Sequence, residues 1–176
     1  MSVSLAKLSV LVGEEFACVK IVGRANFTSS IDFKTLVLEL RQKGCKYFVL
    51  DLSECTLMDS TFLGVLAGLG LKLSAAQPEP RAPAVELLNP NARLTELLEN
   101  LGVLHLFKLR NGSLDAPTQP EFCAAAPDPS REEITRACLE AHQTLMTVNP
   151  NNVPKFKELT QFLAEDLKKL QAAKPA

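Results

Sequence analysis

Residues 48–64 pass from a short apolar stretch, Phe48 to Leu52, through a polar loop into an apolar run that opens at Asp59 and Ser60. This succession constrains the fold more than any other part of the chain. A β-rich run with little polar alternation suits a strand inside a covered sheet. A short acid before a long apolar run caps a helix and leaves Ser60 in its first turn. First-turn N–H groups lack partners inside the helix, and the helix dipole favours an anion there. A phosphoryl group on Ser60 is therefore tolerated by the local fold and visible to a partner.

The remaining chain divides by pattern. Lys7 to Val12 and Phe16 to Val22 read as two strands joined at Gly13-Glu14, with β-branched residues at Val10, Val12, Val19, Ile21 and Val22. Residues 23–27 read as a loop. A first helix is expected from Ser29 to Lys43, capped by Thr28 or Ser29, with Ile31, Phe33, Leu36, Val37 and Leu40 at helical spacing. A third strand covers Cys45 to Leu52, and a second helix runs from Ser60 to about Ser74. The Pro-rich stretch 77–83 is a connector. Ala84 to Leu88 is a fourth strand. Asn89-Pro90 is expected to cap and start a third helix with Leu94, Leu97, Leu98 and Leu101 inward. Val103 to Leu109 is expected as a fifth strand. The order ββαβαβαβ predicts an α/β fold, a mixed sheet with helices packed on it.

Residues 111–129 carry four prolines and read as a linker. Ser130 and Glu133 form a capping box, and Ile134, Cys138, Ala141, Leu145 and Val148 share one helical face. After a break at 149–154, Phe156, Leu159, Leu163, Leu167 and Leu170 make a second stripe. The expected division is residues 1–110, a linker at 111–129, and a two-helix extension at 130–176. The stripes need cover from each other, from the sheet domain, or from a second copy as a homodimer.

Composition excludes several classes. A formal net charge of −1 leaves no basic footprint for nucleic acid. The longest apolar run, Phe62 to Leu73, is interrupted by Lys72 and too short to span a bilayer. No charged n-region with an apolar h-region opens the chain, so no secretory signal is expected. Five cysteines without C-x-x-C spacing read as reduced, mostly buried thiols of a cytoplasmic protein. His105 and His142, expected in a strand and a C-terminal helix, lie far apart and suggest neither a metal nor a catalytic site. Gly64, Gly68 and Gly70 form no phosphate loop and read as packing glycines. No cofactor is expected.

The run Asp51-Leu52-Ser53, then Met58-Asp59-Ser60-Thr61 and Leu63-Gly64, resembles the phosphorylation motif of the STAS domain, the family of anti-sigma-factor antagonists and sulphate-transporter tails. The rhythm of residues 88–107 resembles that family's last helix and strand, so the likeness spans roughly residues 5 to 110. Phe62 stands where the family usually has Gly. The resemblance implies a partner-switching cycle. The unphosphorylated chain would bind an anti-sigma factor that is also a serine kinase with a histidine-kinase-type ATPase fold. Phosphorylation of Ser60, with Thr61 as second choice, would dissociate the pair, and a metal-dependent serine phosphatase would reset it. Arg24, Asn26, Asp59, Thr61 and Phe62 would form the partner surface, with Phe62 at the helix start rather than in the core. The chain would be a substrate and binder rather than an enzyme. Two alternatives stand beside this: a STAS subunit of an ABC-type lipid transporter, with Ser60 as a contact residue, and a nucleotide-binding module.

Overall fold

The computed structural model describes residues 6–77, 83–114, 121–122 and 128–175. Expectations that fall on 78–82, 115–120 and 123–127 lie outside the described residues. Strands β1 (Lys7–Val12) and β2 (Phe16–Ala25) form an antiparallel hairpin. The Gly13 N–H donates to the Phe16 carbonyl at 2.8 Å to close it. Helix α1 (Phe27–Gln42), β3 (Tyr47–Asp51), β4 (Cys55–Met58) and α2 (Ser60–Ala75) follow. Next come β5 (Val85–Leu88), α3 (Ala92–Asn100), β6 (Lys108–Arg110) and β7 (Glu121–Phe122). Helices α4 (Arg131–Val148) and α5 (Val153–Ala172) end the order. The sheet runs β6-β5-β3-β2-β1-β7, with β4 beside the far half of β2. Strands β2, β3, β5 and β6 pair in parallel, while β1 pairs antiparallel with β2 and β7. The expected mixed sheet is present.

Side chains alternate across the strands as a period of two requires. Ala17, Val19 and Ile21 of β2, Phe48 and Leu50 of β3, and Val85 and Leu87 of β5 join one buried cluster with α1, α2 and α3. Cys18, Val49 and Leu88 point to the other face. Burial there pushes the Cys18 thiol up to about 11. Glu86 is also buried, and its carboxylate accepts the Tyr47 hydroxyl at 2.5 Å and pairs with Arg110 at 3.0 Å.

The structure departs from the sequence expectations at several ends. Strand β2 continues to Ala25, because β4 pairs with Gly23, Arg24 and Ala25 across a bulge at Gly23. Gly23 takes a φ of 91°, which suits a residue without Cβ. Asn26, rather than Thr28 or Ser29, caps α1: its side chain accepts from the Thr28 and Ser29 N–H groups, both at 3.1 Å. Ser29 completes a capping box instead. Asn91, not Asn89, caps α3, accepting from Leu94 N–H at 2.9 Å. Asn89 sits at φ 53° and bonds to Gly112 in both directions. The expected fifth strand is mostly a 3-10 turn, Leu104–Leu106, so exposed His105 lies in a turn. Only Lys108–Arg110 pairs. Within the expected linker, Glu121–Phe122 pairs with β1.

The C-terminal helices form a hairpin, and α4 packs across α2 and α1. The Ser130–Glu133 capping box forms as the sequence predicts, and Glu133 Oε2 accepts from Ser130 N–H at 2.7 Å. Leu145 enters the main core, with Val148 and Phe156 packed at its edge. Gly64 makes the close approach possible. A Cβ there would collide with the Ala141 carbonyl and lie 2.7 Å from the Ala141 Cβ. This packing glycine serves a helix–helix crossing.

Candidate functional site

The site is the junction where α1 and α2 begin side by side. Strand β3 ends at Asp51, whose carboxylate accepts the Ser53 N–H at 3.0 Å and its hydroxyl at 2.7 Å, turning the chain into β4. The Asp59 N–H then donates to the Ala25 carbonyl at 3.0 Å, which sets the start of α2 against the start of α1. The Asp59 carboxylate spans both. One oxygen accepts the Phe62 N–H at 2.8 Å as the α2 cap, and the other accepts the Phe27 N–H at 2.7 Å. Two free first-turn donors are thus satisfied by one negative group. The capping role expected of Asp59 is present, and its bridge to α1 was not legible from the sequence.

Ser60 follows at the first helical position and is half-buried. Its Oγ lies 2.8 Å from Nε2 of His142 on α4. His142 is 3% exposed, and its Nδ1 lies 2.6 Å from the Cys138 carbonyl one turn earlier. A carbonyl can only accept, so Nδ1 carries the proton in the neutral ring. Nε2 then accepts from the Ser60 hydroxyl. The Phe156 ring of α5 meets the imidazole edge-on at a centroid distance of 4.9 Å. Thr61 is buried, and its hydroxyl donates to the Cys138 Sγ at 3.5 Å. Burial, with the Asp59 charge adding to it, holds the Cys138 thiol above its ordinary range, so it stays protonated.

The other expected site residues separate. Arg24 is exposed at the end of β2, and Asn26 is engaged in capping α1. Phe27 is 42% exposed at the start of α1. Phe62 is not at the surface: it is fully buried, with its ring 5.1 Å from that of Phe33. As the third residue of α2 it joins the main core beside Phe33 of α1. Sequence reading missed His142 and Cys138 as neighbours of Ser60. Their spacing of four places both on one helical face, and a histidine inside an apolar stripe requires a polar partner.

A serine hydroxyl on a neutral imidazole is also how a nucleophile is activated. Here the Phe62 and Phe27 amides are already given to the Asp59 carboxylate and are not free to stabilise an oxyanion. Among the described residues no group of three His, Cys, Asp or Glu side chains is placed to hold a metal ion. No described helix is long and apolar enough to cross a membrane.

Comparison with known proteins agrees with the geometry. The STAS-domain family model matches residues 7–116, which covers β1 to β6 and α1 to α3 and stops before β7 and α4. Among solved structures, a putative anti-sigma factor antagonist from Thermotoga maritima aligns with a TM-score of 0.52 and 18% identity. That alignment covers 61% of this chain and 87% of the other. The Bacillus cell fate determinant SpoIIAA in its phosphorylated form aligns with a TM-score of 0.50 and 16% identity, over 61% of this chain and 92% of its own. Identities this low establish likeness of fold alone. No curated protein matches the chain. The match over residues 7–116, the mixed sheet and the Asp59-Ser60 start of α2 together place the chain in the STAS-domain family.

Proposed function

We propose that this chain is a partner-switching regulator of the anti-sigma-factor-antagonist kind, controlled by phosphorylation of Ser60. The observation that carries the reading is the position of Ser60: the first residue of α2, directly after the capping Asp59, within a STAS domain. The chain acts as binder and phosphoacceptor rather than as catalyst. Its partner is an anti-sigma factor with serine kinase activity, and a metal-dependent serine phosphatase reverses the modification. Arg24 and the first turns of α1 and α2 supply the contact surface around Ser60. Thr61 is the poorer acceptor, being 5% exposed.

Charge supplies the switch. Phosphate adds close to two negative charges beside Asp59. One like-charge pair at 4 Å costs about 4 kcal/mol at an effective dielectric of 20 and about 1 in water. Each ~1.4 kcal/mol is tenfold in affinity. Phosphorylation therefore weakens binding to an acidic or dry partner surface by one to several orders of magnitude.

The test is to incubate the chain with its cognate anti-sigma-factor serine kinase and labelled ATP. One phosphate per chain is expected, with none on Ser60→Ala. Undiminished labelling of the alanine variant, or co-purification with a membrane permease in place of a kinase, would overturn the reading.

A further inference from the structure

We infer that α4 is a latch over Ser60: docking of α4 through the His142–Ser60 hydrogen bond and phosphorylation of Ser60 exclude each other. The inference rests on Ser60 being the phosphoacceptor. Phosphoryl transfer from ATP forms a bond from Oγ to the γ-phosphorus and breaks the bond from that phosphorus to the bridging oxygen of the departing ADP. It also releases the hydroxyl proton, which is the proton that Ser60 shares with Nε2. The Nδ1 proton is committed to the Cys138 carbonyl, so in the neutral tautomer it is the Nε2 lone pair that faces Oγ. A phosphoryl group offers only acceptor oxygens in return. The 2.8 Å between Oγ and Nε2 leaves no room for a phosphorus atom with three oxygens. The neighbouring Thr61 hydroxyl is already bonded to Cys138 Sγ of α4, and the Asp59 carboxylate, next in the chain, adds like charge.

The contact also governs access from outside. Thr61 is 5% exposed and Ser60 half-buried because α4 lies on them. A kinase that must seat Ser60 in its active site reaches it only when α4 has moved. Its observed affinity falls in proportion to the undocked fraction. Leu145 and Ala141 hold the docked state as the resting one, and the Gly64 crossing sets how closely α4 sits. Helix α4 thus serves in cis as the cover that a partner replaces in trans, and the STAS match ends before it.

The full chain carrying phosphoserine at position 60, installed during translation, can be compared with the unmodified chain and with Gly64→Ala. Hydrogen–deuterium exchange and site-mapped alkylation of Cys138 by iodoacetamide are the readouts. No kinase enters this experiment, so its outcome is independent of whether Ser60 is the natural acceptor. In the phosphoserine chain, α4 and α5 amides and Cys138 are each expected to react at least tenfold faster, with β3 and β5 unchanged. Gly64→Ala is expected to give the same pattern without added charge, since its Cβ is driven into Ala141. Unchanged protection of α4 in the phosphoserine chain, as when a protonated His142 holds the phosphate in place, overturns the latch. Equal loss of protection in β3 and β5 overturns it too, because α4 would then unfold only with the whole domain.

Discussion

Helices α4 and α5 belong to one hairpin and carry similar apolar stripes, yet only one is buried. Helix α4 places Leu139, Ala141, His142 and Leu145 out of solvent. In α5 Thr160 alone is buried, Leu159 is 40% exposed and Phe162 is 65% exposed. The difference lies in what each meets. Helix α4 crosses α2 at Gly64, where the absence of a side chain lets the backbones approach. Helix α5 meets α4, through the Phe156 ring on His142 and through surface pairs such as Arg131 with Asp166 at 3.1 Å. Its turn is pinned by Asn152, whose side-chain amide donates to the carbonyls of Leu101 at 2.8 Å and Leu145 at 2.9 Å. A stripe shows that a helix has an apolar face; the relief of the opposing surface decides whether that face is covered.

The sharpest tests of this contrast lie in the platform under α4. Phe62→Ala should cost about 3–5 kcal/mol in urea unfolding, as for a fully buried ring. A cost below about 1 kcal/mol would restore Phe62 to the surface and remove the platform. Next, Leu145→Ala should cost about 2–5 kcal/mol, because its side chain has no solvent exposure. A near-neutral Leu145→Ala would mean that α4 is no better anchored than α5. Ser60→Ala is expected to cost about 1–3 kcal/mol by leaving the buried Nε2 of His142 without a partner. The paired change Ser60→Ala with His142→Phe should recover part of that loss, and a failure to recover would locate the cost elsewhere. The smallest effect belongs to α5: Phe162→Ala should shift stability by no more than about 0.5 kcal/mol. A loss above about 2 kcal/mol would show that this exposed ring is covered in solution, and sedimentation would then reveal self-association.

Much of the site was readable in one dimension. Asp59 before an apolar run implied a cap, and the cap is there, because capping is a bond between residues three apart. The Ser130–Glu133 box was equally local. Errors gathered where two sequence candidates compete for one role. Asn89 and Asn91 both suit a helix cap, and the choice followed from the bonds that Asn89 makes with Gly112, 23 residues on. The same holds for Asn26 over Thr28, since β4 extends β2 and moves the start of α1 forward.

By itself the sequence determined the order of the longer strands and helices without β4 and β7, the mixed sheet, the position of Ser60 in a first turn and the existence of two amphipathic C-terminal helices. All of these follow from periodicity and from contacts within a few residues. The tertiary structure alone decided that Phe62 turns inward, that Asp59 ties two helices together and that His142 lies against Ser60. Each of those depends on partners up to 82 residues apart in the chain. Such pairings are set by which surfaces fit, and Gly64 against Ala141 is a fit that no local pattern encodes.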